Sequence, residues 1–119
     1  MRWDRPLPGD DRFLSLFNRH QTTDKGFGIA LGPAATGRLA ERLEAAGYRL
    51  WQASTPWRLG AADARIQRDV VTGAVAALAT TFPAEAGPLA DWLERRLDRI
   101  AARQSGLIVG HRDLLALPA

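Results

Sequence analysis

Apolar residues recur at helical spacing in four stretches of this 119-residue chain and alternate imperfectly in two others. Phe13, Leu16, Phe17 and His20 predict a helix over about 11–21, with His20 on or beside its apolar face. Asp10 or Asp11 can cap its start. Pro33 suits the first turn of a second helix, about 33–46, and Gly47 suits its end. There Leu39, Leu43 and Ala46 form the buried stripe, and Arg38, Glu41, Arg42 and Glu44 face water. A third helix spans 61–82 on Ile66, Val70, Val71, Ala74, Leu78 and Phe82, and Pro83 ends it. Gly73 weakens it by roughly 1 kcal/mol relative to alanine, which a closely packed backbone would explain. A fourth spans 85–104, with Leu89, Trp92, Leu93, Leu97 and Ile100 inward and Ser105-Gly106 as terminator.

Tyr48–Ser54 has strand character, although Gln52 interrupts one apolar face and Arg49 the other. Leu107, Ile108 and Val109 open a second strand that runs into Gly110, His111, Arg112 and Asp113, with Leu114–Leu117 closing the sequence. Thr55–Gly60 reads as a loop. Met1–Gly9, with Pro6, Pro8 and Gly9, reads as extended and irregular, with no preceding element for Trp3 to pack on. The fold class is α/β: about four helices packed on a short antiparallel strand pair. Two strands do not make an independently stable sheet. The last is apolar enough to be buried among others, and an open edge of that kind invites aggregation. Residues 1–119 are therefore expected to be a single partial domain. Its partner strands would lie earlier in a longer chain or in a second subunit, a homodimer being one such arrangement.

Composition adds limits. The balance of 46% hydrophobic and 24% charged residues is that of an ordinary soluble globular protein. The absence of cysteine excludes disulfides and thiolate metal sites. No apolar run approaches the ~20 residues that span a bilayer, so no membrane partner is expected. The first residues contain no apolar signal core, which makes the cytoplasm the default. The net charge of +3 comes from arginines spread along the chain rather than gathered with aromatics on one face, so nucleic acid is not the expected partner. The tightest cluster, Arg95, Arg96, Arg99 and Arg103, is interrupted by Glu94 and Asp98 and reads as a solvated helix face.

Side chains suited to chemistry concentrate in NRHQTTDKGFGIALGP, residues 18–33. Asn18, Arg19, His20, Gln21, Thr22, Thr23, Asp24 and Lys25 precede three glycines that permit positive φ and close approach of a ligand. A solvated interhelical loop has the same composition.

That run, followed by EAAGYRLWQASTPWRLG and then SGLIVGHRDLLALP, resembles the C-terminal part of bacterial class I S-adenosylmethionine-dependent methyltransferases. The similarity extends from about Trp3 to Pro118 and is most specific at Asp24-Lys25-Gly26-Phe27-Gly28. In that group the matching runs follow the fifth and sixth strands of a Rossmann-like sheet and form its last strand. Thr55-Pro56-Trp57 stands where the group tends to have Ser-Asp-Trp. The glycine-rich turn after a first strand and the acidic end of a second do not occur here. The resemblance thus implies the substrate-side segment of the enzyme, shaping an acceptor pocket and inactive alone. S-adenosylmethionine would be the cofactor of the complete enzyme, with none bound by this chain alone. In that role Arg19 or Lys25 would hold an anionic acceptor, Asp24 or His20 would accept a proton, Phe27 would form an apolar wall, and Asn18 would belong to the same pocket.

Other chemistries carry less. His20 and His111, with Asp24 and Asp113, are suitable metal ligands but lack short ligand spacing. Ser15, Ser54 and Ser105 sit in no nucleophile elbow, and His111-Arg112-Asp113 has no kinase context. A non-catalytic module is the alternative, using Trp3, Trp51, Trp57 and Trp92 for dimerisation or RNA contact.

Overall fold

Four helices and five short strands alternate along residues 1–119, all of which a computed structural model describes. In order they are β1 (Arg2–Trp3), α1 (Asp10–Gln21), α2 (Ala35–Ala45), β2 (Tyr48–Ser54), β3 (Trp57–Leu59), α3 (Ala64–Thr81), α4 (Ala86–Ala101), β4 (Leu107–Val109) and β5 (Arg112–Pro118). One turn of 3-10 helix leads into each of α2, α3 and α4, and Pro33 and Pro83 open two of those turns. The α/β class and the four helices are as the sequence predicts.

The strands depart from expectation. There are two small antiparallel sheets, ordered β1-β4-β3 and β2-β5. The expected single C-terminal strand is divided at Gly110-His111, and the expected loop 55–60 contains β3. The two interruptions face one another. Thr55-Pro56 separates β2 from β3 just where Gly110-His111 separates β4 from β5, and Thr55 N–H donates to the His111 carbonyl at 2.9 Å. Pro56 has no N–H to continue the ladder, so the pairing breaks there and resumes in a new sheet.

The core lies between α1, α3 and α4 under the three-stranded sheet. It is built from Trp3, Phe13, Leu16, Val71, Val75, Leu78, Leu89, Trp92, Ile100 and Leu107. Phe13 stacks on Trp92 at 4.3 Å, and Trp3 meets both rings edge-on. Trp3 therefore packs fully within the chain. The buried face of α3 is Gln67, Val71, Val75 and Leu78, with Val70, Ala74 and Phe82 packed against the core as expected; Ile66 alone of the expected stripe is exposed. Gln67 is buried beside Ile66 because its amide donates to the carbonyls of Gly60 and Ser105, both at 2.8 Å, tying the turn after β3 to the approach to β4. Gly73 faces open space, so no close backbone explains it.

Two polar expectations are also corrected. Asp10 does not cap α1 through its first-turn amides. Gly9 occupies the cap position, and Asp10 instead receives the Leu7 N–H at 2.9 Å and turns into the core. The arginine cluster on α4 is not uniformly solvated, because Arg96 is completely buried against Asp10. In sequence both look like surface charges, and only their pairing allows burial.

α2 and the β2-β5 ribbon form a thinner extension. Only Ala40 of α2 is buried; Leu43 is partly covered, and Leu39 and Ala46 are exposed, contrary to the expected stripe. α2 packs on one ribbon face, where Leu50, Leu114 and Ala116 are partly buried. On the other, register places Trp51 beside Leu115 and Arg49 beside Leu117, and Trp51, Leu115 and Leu117 are each about half exposed. The radius of gyration is 16.9 Å, against about 13.5 Å for a compact domain of this length. The accessible surface is 7886 Å², against about 6,300 Å² for a typical monomer of this mass. No helix is long and apolar enough to cross a membrane.

Candidate functional site

An open cleft of about 540 Å³ lies where the end of α1, the turn into α2, the C-terminal end of β2 and the β4-β5 junction meet. Asn18 and Gln21 come from α1, Thr36 from α2, Ser54 from the end of β2, and His111 and Arg112 from the junction, with Phe17 and Val109 as apolar lining. His111 is held in place. Its Nδ1 is 2.9 Å from the Thr55 hydroxyl and 3.4 Å from the Asp113 carboxylate, and its ring stacks on Trp57 at 5.7 Å. Arg112 reaches only the Gln52 side chain, at 3.5 Å.

Of the residues singled out from sequence, Asn18, Gln21, Ser54 and His111 line this cleft, and Asp24, Lys25, Thr22 and Thr23 serve the loop beside it. Asp24 Oδ1 accepts the N–H groups of Gly26 at 2.8 Å and Gly28 at 3.0 Å. Both glycines have positive φ, so the carboxylate folds residues 24–29 into a tight turn closed by an Asp24–Ile29 bridge. Lys25 Nζ donates to the His20 carbonyl at 2.9 Å, a cation at the C-terminal end of α1. The Thr22 and Thr23 hydroxyls satisfy the carbonyls of Arg19 and His20. Arg19 lies over the Phe82 ring at 4.8 Å. His20 is partly buried, and its side chain forms no hydrogen bond. Phe27 is fully exposed at the tip of the turn and walls no cavity.

Neither Arg19 nor Lys25, expected to hold an anion, lines the cleft. The sequence alone places His111, Arg112 and Asp113 within the last strand and does not gather Thr36, Ser54 and Arg112 with Asn18. The available signal was a polar run after Gly110 between two apolar stretches.

A second cleft, of about 320 Å³, lies beside Pro8, Gly9, Arg12, Glu85 and Trp92. Arg12 and Glu85 form an ion pair there and neutralise one another. The hydrogen bond from Arg12 holds the Glu85 carboxyl below its ordinary range. Ser105 is buried, and its hydroxyl has no hydrogen-bond partner to activate it. No three His, Asp or Glu side chains gather in a way that could hold a metal ion. In comparisons with known proteins, no family model, no curated protein and no solved structure matches this chain.

Proposed function

We propose that this chain is the substrate-side segment of a class I S-adenosylmethionine-dependent methyltransferase, and that the cleft around Asn18, Ser54, His111 and Arg112 is part of its acceptor pocket. The reading starts from the resemblance of residues 18–33, 47–60 and 105–118 to that group. The observation that carries it is the β2-β5 ribbon. Seven residue pairs form a ribbon with α2 on one face, Trp51, Leu115 and Leu117 bare on the other, and both outer edges unpaired. A two-stranded ribbon is marginal alone, and a sheet with helices on both faces would cover this surface. The excess surface and long radius of gyration agree with a body that packs against more protein.

Methyl transfer suits such a division. The sulfonium is already activated, so the acceptor side mainly positions the nucleophile and excludes water. Asn18 on α1, Ser54 at the end of β2 and His111 at the β4-β5 junction supply orienting hydrogen bonds, while the cofactor-binding turn belongs to the missing half. Calorimetric titration with S-adenosylmethionine tests the assignment, first on the chain alone and then with a complementing N-terminal half supplied. No binding alone and recovery on complementation is the expected result. Tight binding by the isolated monomer would overturn it.

The same bare face favours a second reading, a non-catalytic module that pairs with another copy of itself. Light scattering separates the two: a stable dimer that resists the complementing half supports the second.

A further inference from the structure

Several cations outside the cleft have a partner. Arg96 pairs with Asp10, Arg12 with Glu85 and Arg38 with Glu41, while Arg19 lies on Phe82 and Lys25 on helix-end carbonyls. Arg112 differs. It forms no ion pair, and its single side-chain hydrogen bond is the 3.5 Å contact to Gln52. Around it, the side chains of Asn18, Gln21, Thr36 and Ser54 make no hydrogen bond within the protein. The Thr55 hydroxyl occupies His111 Nδ1, which leaves Nε2 without a protein partner. No Asp or Glu lines the cleft. Asp113 approaches His111 but lies outside the lining, and Trp57 fixes the imidazole ring from its face.

We propose that this cleft binds the anionic group of a small organic ligand, a carboxylate or a phosphate, with Arg112 as anchor and His111 and Asn18 as flanking donors. A guanidinium presents a planar pair of N–H groups that matches either oxyanion in two parallel hydrogen bonds. With no acid in the lining, nothing in the cleft competes for that pair. Its volume, about 540 Å³, accommodates a small molecule with room beyond the anion. The inference rests on the acceptor-pocket reading only in naming the ligand a methyl acceptor; anion binding itself does not require the missing half.

Nuclear magnetic resonance titration of the full chain with inorganic phosphate, and separately with benzoate, at constant ionic strength tests it. The expected result is saturable shifts confined to Asn18, His111 and the Arg112 side chain with at least one anion, and the tighter anion identifies the chemistry. Arg112→Gln should weaken that binding at least tenfold and Asn18→Ala by a smaller factor, with the resonances of buried Trp92 unmoved as a check on folding. Non-saturating shifts spread over many arginines, or equal affinity in Arg112→Gln, would overturn the proposal. Either result leaves the S-adenosylmethionine complementation experiment unaffected, so the two ideas fail separately.

Discussion

The guanidinium of Arg96 on α4 donates to both carboxylate oxygens of Asp10 on α1, at 2.8 and 2.9 Å, with no part of the arginine exposed. Trp92 Nε1 and the Leu7 N–H donate to the same carboxylate, Arg96 also donates to the Arg5 carbonyl, and the Trp3 ring lies 4.6 Å from the guanidinium. One carboxylate therefore joins the N-terminal segment, α1 and α4. Deleting one partner leaves a buried charge uncompensated, so Asp10→Ala and Arg96→Ala should each cost about 3–5 kcal/mol. Urea unfolding measures this, and the double variant should lose less than the sum. A loss under about 1 kcal/mol for Arg96→Ala would remove the network from any structural role.

Gly9 sits immediately before that carboxylate with φ of 97°, and a Cβ there would lie 2.9 Å from Trp92 Cδ1. Gly9→Ala should destabilise by about 1–2 kcal/mol from the left-handed backbone alone, with the Trp92 contact adding to it. A thermal midpoint lowered by several degrees is the expected reading.

The turn at 24–29 depends on a single side chain. Asp24→Ala should speed hydrogen exchange at the Gly26 and Gly28 amides while changing global stability by no more than about 0.5 kcal/mol, because the turn is exposed. Unchanged exchange would mean that the two glycines hold the turn unaided.

Glu85 titrates below the ordinary carboxylate range because Arg12 hydrogen-bonds to its ionised form. Its folded value is depressed, so its contribution is present above the unfolded value of about 4.3 and fades as pH falls through the lower folded value. Unfolding free energy compared for wild type and Glu85→Gln should differ at about pH 6 and converge toward about pH 3. The gap should be small, since the pair faces solvent.

On the bare ribbon face, Leu115→Lys should leave the stability of the isolated chain within about 0.5 kcal/mol, because the residue is already half exposed. It should reduce self-association in sedimentation and weaken binding to a complementing half. Unaltered association would place the contact elsewhere.

Local order was legible in the sequence. The four helices follow from apolar spacing within each segment, and Pro33, Pro83 and Ser105-Gly106 mark three of their boundaries to within a few residues. Such signals act between residues three or four apart, so they survive being read one segment at a time. The α/β class and the polar concentration at 18–25 came from the same reading. Tertiary structure alone decided which charges are buried and which are free. Arg96 resembles its neighbours on α4 until Asp10, 86 residues away, arrives to neutralise it. Arg19 and Lys25 looked available until Phe82 and the end of α1 engaged them, whereas Arg112 kept its charge free. The division of the last strand was equally hidden, because Gly110-His111 breaks the ladder only in register with Thr55-Pro56. Hydrophobic periodicity records which face a segment buries; it carries no record of the distant partner that pairs a strand or neutralises a charge.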